Sequence, residues 1–352
     1  MKTLRFAIIG CGRIGERHAK LLGSSLINNA SLVAVCDINE EKSKKFGEMY
    51  NVPSFTDLHE MMKNREIDVV SVLTPSGLHA NHVIELSKYS CDIVVEKPMA
   101  LKYLDAKKMI KECSENKSRL FVVKQNRFNK PILKLREAID KNFFGKIVLA
   151  TIRVRWARDQ KYYNQNEWRG TWKYDGGVIS NQASHHVDML DWMVGDVQSL
   201  NAKINKTLVN IEAEDTAICN LKFKNGALGV IEATNCARPQ NLEGSISILG
   251  ENGAVVVSGM SMNKLETWTF SDQGLNLEMN ELYNENPPDV YGYGHKMYYE
   301  HVVDCILNNK SSFLSGEHGS RSVKLINAIY EPAMNLREVH LDDLNYDIKL
   351  GN

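Results

Sequence analysis

The stretch LRFAIIGCGRIG, residues 4–15, decides the fold of the first half of the chain. Its apolar run stops at GCGRIG, residues 10–15, and a helical pattern follows. In a G-x-G-x-x-G turn between a strand and a helix, the glycines let the backbone approach a pyrophosphate, whose charge is held by the helix N-terminus. The stretch therefore predicts a dinucleotide-binding turn. The expected cofactor contacts in it are Gly10, Cys11, Gly12, Arg13 and Ile14.

A carboxylate after the second predicted strand indicates which dinucleotide binds. Asp37 follows SLVAVC and lies 22 residues after Gly15, where a carboxylate can accept hydrogen bonds from a ribose 2′-hydroxyl. Ile38 and Asn39 come next, with no arginine to receive a 2′-phosphate. The sequence therefore predicts NAD rather than NADP. The alternative is an incidental glycine turn before a helix.

Residues 1–127 alternate short apolar strands with longer amphipathic segments. This alternation is typical of a Rossmann-type, doubly wound parallel sheet that is covered on both faces. In such a sheet, ligands bind beyond the carboxyl ends of the strands. The residues after the third predicted strand are therefore expected to edge the cofactor. They are Thr74, Pro75, Gly77 and His79.

The next predicted strand ends in a charge pair, Glu96 and Lys97, within CDIVVEKPMA, residues 91–100. A lysine at this edge can stabilise the alkoxide character that develops on a substrate hydroxyl as hydride leaves. The alternative is a solvated salt bridge at the strand end, and the sequence leaves both open. Glu96 and Lys97 are expected to contact the cofactor, and Lys97 also the substrate. Gln125, which closes the last predicted strand, is a further expected cofactor contact.

Residues 128–352 change to strands separated by Asn-Gly turns. Such turns indicate hairpins, so this half predicts an α+β domain with a large, open, mostly antiparallel sheet. The expected division is therefore an NAD-binding domain, 1–127, and a domain for substrate binding and oligomerisation, 128–352. Within the latter, residues 274–294 look like a loop, and helices are predicted at about 295–309 and 317–336.

One helix of the second half carries polar residues on an apolar background. Helical spacing in WRGTWKYDGGVISNQASHHVDMLDWMVG, residues 168–195, puts Asn181, His185 and Asp188 on one face. His185 titrates near neutrality and suits a general base. A metal site and a hydrogen-bonded core histidine are the alternatives. Asn181 and Gln182 are expected to orient amide groups of the substrate or cofactor.

Arginines cluster just before that helix. Lys plus Arg and Asp plus Glu number 43 each, so no global field draws the chain to nucleic acid or to an anionic membrane, and an anion must be bound locally. Arginine forks bind carboxylate or phosphate bidentately. Arg155 and Arg158 are expected to bind substrate, and Trp168 and Arg169 cofactor. For Arg155 the alternative is an exposed or subunit-facing strand with ion pairs.

The seven cysteines form no C-x-x-C pair and no metal-type spacing, which favours a reducing compartment and predicts no metal site. The N-terminal apolar run breaks at glycine, unlike a signal peptide. No apolar run approaches the roughly 20 residues that span a bilayer. These features predict a cytoplasmic protein.

Taken together, G-x-G-x-x-G, Glu96-Lys97-Pro98 and the segment from Gly176-Gly177 to His185 and Asp188 resemble the glucose-fructose oxidoreductase and inositol dehydrogenase family over essentially the whole chain. The resemblance implies that Lys97 and His185 serve hydride transfer and that a sugar lies between nicotinamide and the second sheet. Asn181 stands where the family usually has aspartate, so a carboxylate role is lost at that position.

Residues 153–188 and 241–253 are similar to a narrower group, the bacterial dehydrogenases that oxidise the 3-hydroxyl of UDP-N-acetylglucosaminuronic acid (UDP-GlcNAcA) on the route to diacetamido-uronic acids of O-antigen. This similarity implies UDP-GlcNAcA as partner and a homotetramer formed through the open sheets. Some relatives recycle NADH with 2-oxoglutarate, and the sequence leaves open whether this chain does. The remaining alternatives are a dehydrogenase of another sugar or polyol and an NAD-binding regulator without turnover.

Overall fold

The computed structural model describes residues 2–64, 66–276, 283, 292–335, 338–344, 346 and 348–352. The chain forms two compact units. The first comprises Met1–Lys124 and His295–Ser320, and the second Gln125–Gly294 and Arg321–Asn352. Unlike the expected division at residue 127, residues 295–320 pack with the first unit.

The first unit is built on a six-stranded sheet in the order β3-β2-β1-β4-β5-β6, with every pair parallel. Its strands are β1 (Leu4–Ile9), β2 (Ala30–Cys36), β3 (Ser54–Phe55), β4 (Val69–Val72), β5 (Asp92–Val95) and β6 (Leu120–Val122). Its helices are α1 (Arg13–Gly23), α2 (Glu40–Tyr50), α3 (Leu58–Asn64), α4 (His79–Ser87) and α5 (Tyr103–Glu115). The order reverses between β1 and β4, which is where doubly wound sheets bind their ligands.

The second unit is built on an eight-stranded sheet in the order β13-β12-β11-β7-β10-β9-β8-β14. Its strands are β7 (Ile147–Arg155), β8 (Val197–Asn205), β9 (Thr216–Phe223), β10 (Leu228–Thr234), β11 (Glu243–Gly250), β12 (Gly253–Ser258), β13 (Lys264–Phe270) and β14 (Val339–His340). The pair β7–β10 is parallel and the others are antiparallel. The remaining helices are α6 (Lys130–Asp140), α7 (Gln160–Tyr163), α8 (Ser184–Val194), α9 (Gly294–Leu307) and α10 (Gly316–Asn335).

Burial alternates along the strands of the second sheet. In β9, Cys219 and Leu221 are buried, whereas Ile218 is about half exposed. A two-residue period of this kind means that, within this unit, one face of the sheet packs on helices and the other is open.

The predicted fold class is confirmed: a parallel Rossmann sheet and a mostly antiparallel second sheet. The two predicted C-terminal helices are confirmed as α9 and α10. The predicted loop 274–294 lies largely outside the described residues. Among the residues that the structure describes, no helix is both long and apolar enough to cross a lipid bilayer.

Candidate active site

The turn after β1 has the space and the backbone geometry that a dinucleotide needs. Gly10 has φ +102°, a conformation that side chains rarely adopt. A Cβ on Gly12 would have no atom within 4 Å, whereas one on Gly15 would lie 2.4 Å from the Gly10 carbonyl oxygen. Gly10 therefore permits the tight turn, Gly12 leaves room for a pyrophosphate to approach the backbone, and Gly15 permits close contact between helix and strand. Arg13 is exposed at the start of α1 and Ile14 is half-buried.

Asp37, which follows β2, is hydrogen-bonded to this turn. Its Oδ2 accepts a hydrogen bond from the Cys11 backbone N–H at 2.8 Å, and its Oδ1 accepts one from the Asn39 N–H at 2.8 Å. The side chain is half-buried. The carboxylate predicted to hold the ribose thus also fixes the glycine turn, and its charge disfavours a 2′-phosphate.

The loop after β4 is tied to the residues after β5. Thr74, Pro75 and Gly77 are half-buried at the carboxyl edge of the sheet. His79 is buried, and its ring nitrogens lie 2.9 Å from the Pro98 carbonyl oxygen and 2.8 Å from that of Thr74. A ring N–H can donate to either oxygen. His79 therefore braces the loop, and its expected position at the edge of the cofactor stays a prediction.

Glu96 points into the core of the first unit. Its Oε1 lies 3.1 Å from His18 Nε2 and 3.8 Å from His295 Nε2. Burial alone would raise the pKa of Glu96, but hydrogen bonds from the two histidines hold it well below its usual range. The side chain is buried, which excludes the solvated salt bridge at the strand end. The expected cofactor contact of Glu96 stays a prediction.

His18, Glu96 and His295 have ligand atoms within 4.8 Å of one another, and zinc takes these side-chain types. The contact between His18 and Glu96 is a hydrogen bond, and His295 lies farther away, with 3.8 Å from its Nε2 to Glu96 Oε1. His18 Nδ1 lies 2.6 Å from the hydroxyl of Tyr299, which is itself 2.9 Å from Ser71 Oγ. We therefore treat the group as a hydrogen-bonded cluster. The sequence could have indicated a buried polar residue here, because His18 lies three residues after Gly15 on the buried side of α1.

Lys97 follows at the carboxyl end of β5. Its backbone N–H donates to Glu96 Oε2 at 2.8 Å, the Lys97–Pro98 peptide bond is cis, and the residue is half-buried. The backbone N–H of Lys97, the predicted catalytic cation, is thus held by a carboxylate that lies in the core of the first unit.

In the second unit, His185 lies on α8 beside Gln125. The Gln125 amide Nε2 is 3.1 Å from His185 Nε2 and donates to it. A ring nitrogen that accepts a hydrogen bond is unprotonated, which is the state a general base needs. Gln125 is buried and His185 half-buried. The structure therefore makes Gln125, expected to contact the cofactor, a neighbour of the predicted base.

Asp188, one turn after His185 on α8, is paired with an arginine. It forms a bidentate pair with Arg127, with 2.8 Å from Nε to Oδ2 and 2.8 Å from Nη2 to Oδ1. The Arg127 and Asp188 side chains are only 2% and 3% exposed. The pair links α8 to the short helix Gln125–Phe128, so it supports the contact between Gln125 and His185.

Asn181 lies before α8, in the π-helical turn Val178–Gln182, which breaks the helical face predicted from spacing. Its amide Nδ2 donates to Asp175 Oδ1, and the other oxygen of the buried Asp175 accepts from the Gly170 N–H at 2.8 Å. Asp175 therefore places a carboxylate next to Asn181, the position at which the family usually has aspartate. The sequence reading missed Asp175.

Gln182 is buried within the second unit. Its Oε1 accepts from Asn235 Nδ2 at 3.0 Å, and Asn235 also donates to the hydroxyl of Tyr163 at 2.7 Å. These bonds give Gln182 a bracing role, and the expectation that it orients an amide group of substrate or cofactor stays a prediction.

Arg155 is paired on the open face of the second sheet. Its guanidinium donates to both carboxylate oxygens of Glu232, at 2.6 and 2.8 Å, and to Glu243 at 3.1 Å. Its partners lie on the neighbouring strands β10 and β11. The strand ion pair, which was the alternative for Arg155, is formed, and we favour it over the expected role in substrate binding.

Arg158 and Arg169 differ from Arg155, because both stack on aromatic rings. The Arg158 guanidinium lies 5.1 Å from the Trp156 ring and 5.2 Å from that of Tyr162. Arg169 lies 4.4 Å from the Tyr162 ring and 4.8 Å from that of Trp168, and it donates to the Tyr162 hydroxyl at 2.6 Å. None of the ion pairs among the described residues involves Arg158 or Arg169. We call this half-buried arrangement the arginine ladder; it holds two oriented cations.

Comparison with known proteins agrees with this geometry. The profile of an oxidoreductase family's NAD-binding Rossmann fold (GFO_IDH_MocA) matches residues 4–124, and that of its C-terminal alpha/beta domain matches residues 136–341. The chain belongs to the Gfo/Idh/MocA oxidoreductase family. This family consists of NAD-dependent dehydrogenases of sugars and polyols, and the chain carries its NAD-binding domain.

Two solved members of the Gfo/Idh/MocA family are similar over nearly the whole chain. The WlbA dehydrogenase of Bordetella pertussis, in complex with NADH and UDP-GlcNAcA, is 38% identical with a TM-score of 0.88, covering 96% of this chain and 99% of that one. The WlbA dehydrogenase of Chromobacterium violaceum, in complex with the same two ligands, is 38% identical with a TM-score of 0.90, covering 97% and 96%. Myo-inositol 2-dehydrogenase of Thermotoga maritima is 27% identical over 97% of this chain and 99% of its own length.

Proposed function

We propose that this protein oxidises the C3 hydroxyl of UDP-GlcNAcA to the 3-keto sugar with NAD. The observation that carries the proposal is the 38% identity, over at least 96% of the chain, to two dehydrogenases that were crystallised with NADH and UDP-GlcNAcA. The arginine ladder supports it. A nucleotide-sugar uronate carries a pyrophosphate and a carboxylate, and oriented guanidinium groups bind both kinds of anion.

In the proposed reaction, Lys97 and His185 act on the same carbinol. The substrate hydroxyl replaces the Gln125 amide as donor to His185 Nε2, and this nitrogen then takes the hydroxyl proton. The Lys97 ammonium stabilises the negative charge that develops on the C3 oxygen. NAD, when bound, accepts the hydride from C3. The sugar thus loses one hydride and one proton and leaves as a ketone.

The direct test is incubation with UDP-GlcNAcA and NAD, with the 3-keto product detected by mass spectrometry. Parallel reactions receive UDP-GlcNAc, which lacks the uronate, and myo-inositol. We expect product from UDP-GlcNAcA alone. Turnover of myo-inositol and none of UDP-GlcNAcA would favour the second candidate, a polyol dehydrogenase, which the inositol dehydrogenase relative supports.

Lys97→Ala and His185→Asn separate an enzyme from an NAD-binding regulator. Each should abolish turnover while leaving NAD affinity nearly unchanged. Equal loss of NAD binding would assign both residues structural roles. Adding 2-oxoglutarate to a reaction with limiting NAD tests cofactor recycling, since more than one product per NAD then requires NADH to be reoxidised.

We also propose a homotetramer that associates through the open face of the second sheet. That face carries the ion pairs of Arg155 with Glu232 and Glu243 beside the exposed apolar residues Ile218, Leu228 and Leu249. All seven cysteines are described and none forms a disulfide, which supports a cytoplasmic location. A role in O-antigen biosynthesis belongs to the same proposal. Sedimentation of the purified chain tests the tetramer.

A further inference from the structure

The hydrogen-bonded cluster in the core of the first unit has no part in binding or chemistry as described so far. It consists of Ser71, Tyr299, His18, Glu96 and His295, which come from β4, α9, α1, the end of β5 and α9 again. All five have at most 6% of their surface exposed. A carboxylate in such a place is a costly way to stabilise a core, because an apolar residue fills the same space without losing hydration.

The hydrogen bonds of the cluster run in one direction. An ionised Glu96 can only accept, so the His18 Nε2–H donates to it across 3.1 Å. When Nδ1 of His18 carries no proton, it accepts from the Tyr299 hydroxyl across 2.6 Å. The Tyr299 oxygen in turn accepts from the Ser71 hydroxyl across 2.9 Å. In this arrangement the protons shared by Ser71, Tyr299 and His18 all point toward Glu96.

The other carboxylate oxygen of Glu96 leaves the cluster and meets the next residue. Glu96 Oε2 accepts the backbone N–H of Lys97 at 2.8 Å. An apolar residue at position 96 could fill the core but could not hold this N–H. The cluster therefore fixes the peptide plane from which the Lys97 side chain starts.

We propose that His18, Tyr299 and His295 lock the Glu96 carboxylate so that it positions Lys97 for hydride transfer. This inference rests on the proposed function, because it assigns the cluster a purpose only if Lys97 is catalytic. Glu96 is then a positioning residue that acts through Lys97. Small displacements of a catalytic group are costly in rate, since a misplacement of about 1 Å can lower turnover about 100-fold.

The chain offers a matched control carboxylate in the same sheet. Asp68 precedes β4, at the end opposite to Lys97, and accepts the Arg5 backbone N–H at 2.9 Å. In Glu96→Gln the single amide oxygen accepts from His18 and the NH2 group faces the Lys97 N–H, which loses its acceptor. We therefore expect kcat to fall about 100-fold with little change in the KM for the sugar or the Kd for NAD. Asp68→Asn should leave kcat unchanged. Equal kcat losses in the two variants, or a Glu96→Gln variant with wild-type kcat, would overturn the proposal.

A graded pair at position 18 keeps the test decisive if Glu96→Gln does not fold. The amide of His18→Gln can still donate to Glu96, whereas His18→Leu cannot. We expect kcat to fall in the order wild type, His18→Gln, His18→Leu, with NAD affinity constant. If kcat and NAD affinity fell together in both variants, the cluster would be supporting the fold alone.

A readout without turnover separates this inference from the proposed function. Lysines are reductively methylated with ¹³C-formaldehyde, and the Lys97 signal is assigned in the NMR spectrum by its loss in Lys97→Arg. Glu96→Gln should shift that signal, and Asp68→Asn should not. If the wild type fails to oxidise UDP-GlcNAcA but the signal shifts, the proposed function fails and the positioning contact stands. An unchanged signal refutes the contact.

Discussion

Replacing Asp188 by asparagine tests how the second unit holds its candidate base. Asp188 forms two hydrogen bonds of 2.8 Å with Arg127 in a site where both side chains are at most 3% exposed. Asparagine keeps the shape but removes the charge, so the guanidinium stays buried without compensation. Breaking a buried ion pair from one side costs about 3–5 kcal/mol. At roughly 2–4 °C per kcal/mol for a unit of this size, we expect Tm to fall by about 10 °C.

Urea unfolding followed by circular dichroism measures the loss in the apo-protein. The control is Asp140→Asn on α6, which breaks a pair between Arg136 and a carboxylate that is 63% exposed, and which should cost only about 0.5 kcal/mol. The double variant Arg127→Met/Asp188→Leu should be more stable than either single variant, because it removes both charges. A cost below about 1 kcal/mol for Asp188→Asn, or a double variant no more stable than the singles, would refute the reasoning.

Other substitutions test the remaining parts of the account. Gly12→Ala should leave the apo Tm unchanged and raise the Kd for NAD at least about tenfold, a loss of about 1.4 kcal/mol, because its Cβ meets no protein atom but enters the open approach. Gly15→Ala should lower the apo Tm, since its Cβ would lie 2.4 Å from a carbonyl oxygen. Arg158→Ala should raise the KM for UDP-GlcNAcA, whereas Arg155→Ala should not, because Arg155 is engaged by Glu232. Burial raises the pKa of Glu214 from 4.5 to about 7. The folded state therefore binds the extra proton and loses stability as pH rises from about 4.5 to 7, so Glu214→Gln should gain about 3 kcal/mol relative to wild type between pH 4.5 and 8 in urea unfolding.

The first half of the fold was predictable because each of its signals is local. The spacing from the glycine turn to Asp37 and the apolar strands lies within short stretches of chain. The short edge strands β3 and β14 span two residues each, too few to show a period. The return of α9 to the first unit also escaped prediction, because His295 and Tyr299 find their partners about 200 or more residues away in sequence.

The sequence predicts the reactive groups of the candidate site, but it does not predict most of the residues that contact them. Lys97 and His185 follow from strand-end position and titration chemistry. Helical spacing placed Asn181 on one face with His185 and Asp188, but Asn181 lies in the π-helical turn before α8. The pairing of Asp188 with Arg127, 61 residues away, could not be foreseen from spacing. From sequence alone, Arg155 is a candidate for binding an anion. Its partners Glu232 and Glu243 lie on other strands, and the register between strands cannot be predicted from a single segment.

Transfer of label from C3 of the sugar tests the central claim most directly. UDP-GlcNAcA deuterated at C3 is incubated with the protein and unlabelled NAD, and the nicotinamide product is analysed by mass spectrometry. Direct hydride transfer predicts that each reduced cofactor gains one deuterium and that the ketone forms at C3. Reduced cofactor without deuterium, or no reduction under conditions in which UDP-GlcNAcA binds, would contradict the account.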